Sequence, residues 1–426
     1  MLSEEVVAVD SNITLLVQGP AEIEVLKNFV EVLGVKLYPP ERICVKRNKI
    51  VPVESNTKAL VSVILSDKGK YWLSDFECGV KIWSNKVERV FNELSLKAKP
   101  LQVMIVGETD SGKSTLSTYL ANYALSKGLK PCILDGDLGQ GDLAPPGCIG
   151  LKFVEKSFFD LRELIADYYE FIGVISPRGF EEYVIDSIIR LKSRVSEHSS
   201  DIIIVNTDGY VKDKGLEYKV NTILKFKPDV VFCLEDENNL NSSSLFNSIS
   251  SAYAGSVISL KKARVKQKSR EERFHRRLNQ YRRFLRKGKL RSFNLYNLNV
   301  KFLNQGFCAN RSSVFGNYSI CKISDTGLNL TVRPLDLEYI LYDLKNNEIL
   351  LSSYVLNRMF VALGYKGKVK GFGLITHVEP EMRLTVLTQV NDEIDTIHLS
   401  TIRLMNNLNN EFIVPVLKQG FQEQVI

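Results

Sequence analysis

The feature that most constrains this chain is a glycine loop, Gly107-Glu108-Thr109-Asp110-Ser111-Gly112-Lys113-Ser114. The apolar residues 103–106 before it are typical of a buried strand, and residues 114–122 after it are typical of a helix. Glycines let backbone amides turn toward phosphate oxygens, and a helix N-terminus adds favourable partial charge. The sequence therefore predicts a triphosphate site, with the Lys113 ammonium on the β- and γ-phosphates and the Ser114 hydroxyl on Mg²⁺.

Around this loop the hydrophobic pattern predicts an α/β fold. Short apolar runs alternate with helical stretches from residue 100 to about 260, as in a parallel sheet that is covered on both faces. Residues 1–83 read as a β-rich N-terminal domain with one helical pattern at 21–32, and residues 84–99 as a connecting helix. The predicted P-loop domain spans 100–288, including a basic segment at 261–288, and a smaller β-containing C-terminal domain spans 289–426.

Composition excludes several classes of protein. The chain has 426 residues, of which 44% are hydrophobic and 25% charged, which argues against wholesale disorder and collagen-like repeats. No apolar run reaches the roughly 18 residues that span a bilayer, and the acidic N-terminus lacks a secretion signal. Seven scattered cysteines without a Cys-x-x-Cys spacing favour reduced thiols, and four histidines form no metal-ligand pattern. We therefore expect a cytoplasmic protein with no membrane partner.

The overall charge of +7 conceals a strong local asymmetry. Between Lys261 and Arg291 there are 15 Lys and Arg residues and two acids, so this segment carries +13 and the remainder carries −6. The segment is either a solvated helical face or a binding surface for a polyanion. We regard Arg276, Arg277, Arg282 and Arg283 as candidates for contact with a nucleic-acid backbone.

Two further strand ends carry polar residues that bear on the type of NTPase. Asp135 and Asp137 follow the apolar residues 132–134, where a carboxylate could hold Mg²⁺ through water or accept a proton from an attacking hydroxyl. An Asp- and Gly-rich loop without chemistry is the alternative. After residues 202–205 comes Asn206-Thr207-Asp208-Gly209-Tyr210, whose tyrosine is either a packed aromatic or a stacking surface for a base. No guanine-reading Asn/Thr-Lys-x-Asp motif follows residues 230–234, so adenine is favoured.

With these residues in place, the chain resembles the polynucleotide 5′-hydroxyl kinases related to the kinase subunit of the eukaryotic pre-mRNA cleavage factor, with their rRNA-processing and archaeal relatives. The resemblance rests on the order and spacing of five segments. They are GETDSGKST at 107–115, DLGQG at 137–141, PPG at 145–147, NTDGY at 206–210 and KSREERFHRR at 268–277. The family has a β-rich N-terminal domain, a central kinase domain and a smaller C-terminal domain, so the resemblance covers nearly the whole chain.

The resemblance implies a role for each matching residue. The implied ATP-binding residues are Gly107, Glu108, Thr109, Asp110, Ser111, Gly112, Lys113, Ser114 and Thr115, and the implied Mg²⁺ residues are Ser114 and Asp137. The implied nucleic-acid-binding residues are Gln140, Arg277 and a clasp around the 5′-terminal nucleotide, formed by Thr207, Gly209 and Tyr210. Lys268 and Arg273 correspond to the two cations of a lid over the phosphates, although Lys268 lacks the planar fork of arginine. Lys113, Asp137 and Arg273 are the implied catalytic residues.

The implied activity is ATP-dependent phosphorylation of the 5′-hydroxyl end of RNA, or also of DNA, with Mg²⁺ as cofactor and RNA-processing proteins as partners. Some relatives bind ATP without turnover, so a non-catalytic scaffold of an RNA-processing complex is the alternative. A motor or switch ATPase is a third class, and it would hydrolyse ATP rapidly without any 5′-hydroxyl acceptor.

Overall fold

The computed structural model describes residues 2–75, 79–94, 100–236, 245–263, 267–303, 305–308, 320–324, 340–343, 348–379, 383–405 and 408–419. The chain divides into two compact units. The first comprises Met1–Gly136, Leu151–Asp167 and Leu191–Gln267, and the second comprises Asp137–Gly150, Tyr168–Arg190 and Lys268–Ile426. Among the described residues, no helix is both long enough and apolar enough to cross a membrane.

The chain begins with nine strands in two antiparallel sheets, in the orders β1-β8-β3-β6 and β5-β4-β7-β2-β9. Their bounds are β1 Ser3–Val9, β2 Ile13–Gln18, β3 Ala21–Lys27, β4 Val30–Val32, β5 Val35–Leu37, β6 Arg42–Val45, β7 Ile50–Glu54, β8 Ala59–Leu65 and β9 Lys70–Asp75. This agrees with the β-rich character predicted for the N-terminal residues.

The helical pattern predicted at 21–32 is wrong, because these residues form β3 and β4. Ile23 and Val25 are fully buried, and the glutamates beside them are not, which is the two-residue alternation of a strand with one covered face. Arg42 on the neighbouring strand forms ion pairs with both Glu22 and Glu24, at 3.1 and 2.8 Å. These cross-strand contacts favour the sheet over the helix that the spacing also allows.

The central elements alternate strand and helix as predicted. They are α1 Lys81–Leu94, β10 Leu101–Gly107, α2 Lys113–Ser126, β11 Pro131–Asp135, β12 Cys148–Phe153, β13 Tyr168–Phe171, α3 Glu181–Val195, β14 Ile202–Asn206, α4 Lys214–Phe226, β15 Val230–Glu235, α5 Leu245–Ala252 and β16 Ser256–Lys261, with a 3₁₀ turn at Leu161–Glu163. In the first unit, β11, β14, β10, β15 and β16 lie side by side in that order, all parallel. Residues 103–106 of β10 are completely buried, as expected for a strand covered on both faces.

The remaining elements belong to the second unit. They are α6 Arg270–Leu285, β17 Lys289–Asn294, β18 Asn299–Phe302, β19 Gln305–Cys308, β20 Ile320–Ser324, β21 Ile340–Asp343, β22 Glu348–Ser352, α7 Ser353–Leu356, β23 Phe360–Tyr365, β24 Lys368–Val378, β25 Arg383–Thr388, β26 Thr396–His398, β27 Ile402–Met405, β28 Asn410–Ile413 and β29 Val416–Gln419, with a 3₁₀ turn at Leu295–Asn297. All strands from β17 to β29 except β27 and β28 share one sheet. The fold is thus α/β, with a parallel central sheet and β-rich flanking regions, as predicted.

Helix α6, which carries most of the basic segment, packs closely on this second unit. Its residues Leu278, Tyr281 and Leu285 are at most 2% exposed and belong to a core that also contains Phe360 and Phe372. A Ser269–Glu272 capping box fixes the start of the helix. One face of α6 is therefore buried by apolar contacts, so the helix is not solvated on all sides.

Candidate active site

The glycine loop joins the buried strand β10 to α2, and its glycines are required by close packing. A Cβ on Gly107 would lie 2.7 Å from the Ser111 hydroxyl, and one on Gly112, where φ is +103°, would lie 2.9 Å from the Cβ of Ala263. Only glycine combines that φ with that approach at low cost. The sequence pattern and the backbone thus agree on a phosphate-binding loop at the N-terminus of α2.

Lys113, the first residue of α2, holds its ammonium inside this loop. The side chain is 7% exposed, and Nζ donates to the carbonyl oxygens of Gly107 at 2.8 Å and Glu108 at 2.6 Å. A buried ammonium bound to two loop carbonyls is a fixed positive charge within the turn. This is the position from which a lysine can bind triphosphate oxygens.

A hydrogen-bonded cluster lies beside the loop, where β11 and β14 end. The Asn206 side-chain amide donates to the Asp135 carboxylate at 2.9 Å and lies 3.5 Å from the Ser114 hydroxyl oxygen. Asp135 and Asn206 are paired across the two strands, and both are at most 3% exposed. Three oxygen- or amide-bearing side chains therefore meet at the carboxyl edge of the sheet, the usual place for ligands in open α/β sheets.

The predicted clasp follows β14 and contacts the loop directly. The Thr207 hydroxyl donates to the Ile105 carbonyl at 2.8 Å. An ideal Cβ on Gly209 would lie 2.2 Å from Oγ1 and 2.6 Å from the backbone nitrogen of Thr109. The clasp glycine is thus in tight contact with the phosphate loop, and the clasp and the loop form one packed group.

A buried ion pair orients the clasp tyrosine. Asp208 Oδ2 lies 2.8 Å from Lys219 Nζ, with the two side chains only 7% and 1% exposed, and it accepts a hydrogen bond from the Tyr218 hydroxyl at 3.2 Å. The Tyr210 amide donates to Asp208 Oδ1, and the Tyr210 ring stacks on Tyr218 with centroids 6.3 Å apart. The half-buried Tyr210 ring is therefore held in one orientation by its neighbours.

Trp83 also supports the loop, and the sequence offered no signal for it. This residue of α1 is 1% exposed, and its indole N–H donates to the Lys261 carbonyl at 2.8 Å. Its ring lies 3.5 Å from the ideal Cβ position of Gly112, and Ala263 donates from its amide to Ser111 O at 3.1 Å. The segment after β16 and the connecting helix thus pack against the outside of the glycine turn.

In the second unit, the predicted D-x-x-Q turn is attached to α6. Asp137 Oδ1 accepts from the Gly139 and Gln140 amides at 3.0 and 2.8 Å. The Gln140 side chain donates to the Arg273 carbonyl at 3.3 Å, and Gln280 donates to the carbonyls that follow in the turn. The structure therefore brings together Asp137, Gln140 and the backbone of the predicted lid residue Arg273.

Several of the predicted backbone-binding arginines have partners within this unit. Arg276 pairs with Asp142 at 2.6 Å, Arg277 pairs with the 2%-exposed Glu411 at 2.7 Å, and Arg283 donates to the Asp142 carbonyl. Arg282 donates to the Leu408 carbonyl and the Asn409 side chain. These ion pairs and hydrogen bonds attach α6 to the rest of the second unit. A nucleic-acid role for Arg277 stays a prediction. Lys268 is half-buried just before the capping serine.

The predicted site residues thus fall into two groups, one in each unit. The first contains the loop residues 107–115 together with Thr207, Gly209 and Tyr210, and the second contains Asp137, Gln140, Lys268, Arg273 and Arg277. Asp135 and Asn206 join the first group. Such a parallel sheet, with a glycine loop, a buried lysine and a helix after the central strand, defines a P-loop nucleotide-binding protein.

Sequence comparison shows which known proteins this chain is similar to. Residues 107–287 match the model described as "mRNA cleavage and polyadenylation factor CLP1 P-loop". A polyribonucleotide 5′-hydroxyl-kinase of Pyrococcus horikoshii is 32% identical over 209 residues, which are 49% of this chain and 56% of the relative. One of Methanocaldococcus jannaschii is 39% identical over 144 residues, 34% of this chain and 40% of the relative. The chain spans about half the length of the curated relatives it matches.

A solved structure extends the likeness of fold beyond the matched segment. The chain in the structure of the wild-type Clp1p–Pcf11p complex superposes with a TM-score of 0.66, covering 94% of this chain and 98% of that one. The sequence identity is 14%, so this comparison concerns the fold alone.

Proposed function

We propose that this protein transfers the γ-phosphoryl group of ATP to the 5′-hydroxyl of a polynucleotide, RNA or also DNA. The observation that carries the proposal is the contact of the clasp glycine, Gly209, with Thr109 of the phosphate loop. A clasp that is packed on the loop suits an acceptor whose reacting end must meet the triphosphate. The kinase names of the archaeal relatives support the same reaction.

The first unit supplies the binding of the triphosphate. Lys113 Nζ exchanges its two loop carbonyls for β- and γ-phosphate oxygens, and the amides at the start of α2 bind the same anion. The Tyr210 ring, held by Tyr218, offers a stacking face to the terminal base. Positioning of this kind provides most of the catalysis in phosphoryl transfer.

We assign the proton acceptor and a positive charge to the second unit. Asp137 takes the proton of the 5′-hydroxyl as that oxygen forms a bond to the γ-phosphorus, while the bond between this phosphorus and the β,γ-bridging oxygen breaks and ADP leaves with the electron pair. The Arg273 guanidinium neutralises charge on the equatorial oxygens, aided by Lys268. An arginine in this role is worth on the order of 10³–10⁵ in rate.

The oxygen donors beside the loop suit Mg²⁺. Hydroxyl and carboxylate oxygens are its preferred ligands, and the Ser114 hydroxyl and the Asp135 carboxylate are linked here through Asn206. We propose that Ser114 holds the ion together with Asp137, as the resemblance implies, and that Asp135 belongs to the same set. Bound Mg²⁺ would neutralise developing charge on the bridging phosphate oxygens.

We further propose that the protein works with RNA-processing proteins, in keeping with the description of the family whose model matches residues 107–287. Cys44, Cys132, Cys148 and Cys233 are free thiols, which supports a reducing compartment such as the cytoplasm. An ATP-bound scaffold would share the nucleotide site but would not require proton transfer by Asp137.

A labelling assay with γ-³²P-ATP tests the proposal. The wild-type protein should label a 5′-hydroxyl oligonucleotide and not its 5′-phosphorylated form, whereas a scaffold labels neither. Lys113→Ala should abolish labelling, and Lys127→Ala, an exposed lysine just after the same helix, should not. Asp137→Ala should lower turnover with ATP binding retained. Wild-type labelling by the Lys113 variant would overturn the assignment.

The lid residue has a kinetic signature of its own. Arg273→Ala should lower kcat by about 10³-fold or more and change the affinity for ATP much less, because its charge is needed chiefly in the transition state. A change confined to KM would contradict the role given to Arg273.

A further inference from the structure

A basic cleft lies in the second unit, at the C-terminal end of α6. Its volume is about 500 Å³, and its lining contains four cations and three neutral polar residues: Arg283, Arg286, Lys287, Lys289, Thr388, Gln389 and Asn391. None of these lining residues, all of which the structure describes, carries a carboxylate. Small-molecule pockets of similar volume are lined mostly by apolar side chains. The chemistry of this cleft instead favours an anion.

The turn from α6 into β17 builds the cleft as a fixed feature. Lys287 adopts a φ of +65°, and the Gly288 amide donates to the Leu285 carbonyl at 3.0 Å. Lys289 then pairs with Thr388 across the antiparallel β17 and β25. The Gln389 side chain donates to the Arg286 carbonyl, which ties the helix end to the sheet. The backbone under the cations is thus held by hydrogen bonds from both sides.

The cations of the cleft differ from those in the middle of α6. Arg276 and Arg277 face buried carboxylates, whereas Arg286, Lys287 and Lys289 are exposed and, within the part of the chain that the structure describes, have no ion-pair partner. The negative end of the helix dipole favours a cation near Arg286. It does not account for Lys289, which lies on the following strand and lines the same cleft. Like charges that share a concavity repel one another, and a bound phosphate relieves that repulsion.

Helix geometry relates the cleft to the predicted lid position. Arg273 and Arg286 are 13 residues apart on α6 and its C-cap, so their Cα atoms are separated by about 20 Å along the axis at 1.5 Å per residue. A stacked single strand advances about 3.4 Å per nucleotide, so about six nucleotides span this distance. A strand whose 5′ end lies at the lid can therefore reach the cleft with its sixth phosphate or one near it.

From these observations we infer that the cleft binds backbone phosphates of the polynucleotide substrate, about six nucleotides from the 5′ end. The inference rests on the proposed function for the placement of that end. Binding at the cleft extends the acceptor site beyond the terminal nucleotide. The affinity of the protein for an acceptor strand should therefore depend on the length of that strand.

The test uses the full chain and 3′-fluorescein-labelled single-stranded RNAs of 4 and 12 nucleotides with 5′-hydroxyl ends. Arg286→Glu with Lys289→Glu should raise the Kd for the 12-mer on the order of tenfold at 0.15 M salt, since about two phosphate contacts are lost. The slope of log Kd against log salt should become shallower by about 1.4. The 4-mer, which is too short to reach the cleft, should bind with unchanged affinity.

The matched control reverses two exposed lysines elsewhere in the same unit, Lys366→Glu with Lys370→Glu. It changes net charge equally and should leave both affinities unchanged, and thermal unfolding should show that both variants are folded. An unchanged Kd for the 12-mer, or equal weakening of the two lengths, would overturn the inference. The Kd values are measured by fluorescence anisotropy, which requires no turnover. Labelling of the 4-mer with γ-³²P-ATP by wild-type protein therefore reports separately on the proposed function.

Discussion

Replacing Gly209 by alanine tests whether the clasp and the phosphate loop act as one packed group. The new Cβ would lie 2.2 Å from Oγ1, 2.6 Å from the amide nitrogen and 2.7 Å from Cα of Thr109. Unstrained contacts between such atoms are about 3.5–4.0 Å. The loop and the clasp must therefore separate by about 1 Å, and two of the three contacts involve backbone that cannot rotate away.

The size of the effect follows from that displacement. Inserting a methyl group into a well-packed region costs about 1–3 kcal/mol of unfolding free energy. A shift of about 1 Å in a positioning element can also cost about 100-fold in rate. We therefore expect Gly209→Ala to lower kcat/KM for ATP about 100-fold while the protein remains folded.

Steady-state labelling of a 5′-hydroxyl oligonucleotide, together with urea unfolding, measures both quantities. Gly128→Ala is the control. Gly128 has a φ of +75° but no atom within 4 Å of an added Cβ, so this variant should lower the unfolding free energy without a clash near the loop. Thr109→Ala in the Gly209→Ala background removes only the hydroxyl contact and should restore little activity. Wild-type kcat/KM in the single variant, or full recovery in the double variant, would refute the reasoning.

Two further predictions concern stability. Burial raises the pKa of Glu54 from 4.5 to about 7. In this pH range the folded protein keeps a proton that the unfolded chain releases. The unfolding free energy should therefore fall by about 3 kcal/mol between pH 4.5 and 7 and then level off. Urea titrations of Glu54→Gln should show a flatter dependence of the unfolding free energy on pH. Glu411→Ala should cost about 3 kcal/mol in the same assay, because Arg277 and the Tyr281 hydroxyl lose their buried acceptor. The exposed, loosely paired Glu379→Ala should cost under about 0.5 kcal/mol, and equal losses would contradict this reading.

The phosphate loop could be predicted from the sequence because its function and its fold use the same few contiguous residues. One short segment determines the conformations of Gly107 and Gly112, the charge of Lys113 and the helix that follows. Four strands of the parallel sheet, β10, β11, β14 and β15, were predictable for a similar reason, since each contains a continuous apolar run. Local patterns report reliably on structures whose determinants are local.

The contacts that support the loop are not local. Trp83 reaches the carbonyl of Lys261 across 178 positions of sequence, and Asp208 meets Lys219 through a turn whose path no periodicity specifies. The pattern at 21–32 predicts a helix because Val25, Phe29 and Val32 recur at i, i+4 and i+7, whereas the pairing of Ala21–Lys27 with β6 and β8 makes this segment a strand. Tertiary partners overrode the local signal at these positions.

The basic segment shows how one compositional signal can have two causes. A count of charges cannot separate Arg277, whose guanidinium forms a buried pair with Glu411, from Arg286, whose exposed side chain lines a cleft of cations and neutral polar residues. Removing the first should destabilise the fold, whereas reversing the second should change affinity for long acceptors alone. The +13 of this segment is therefore a sum of structural and binding charges, and the distribution of carboxylate partners along α6 determines which of them are available to a polyanion.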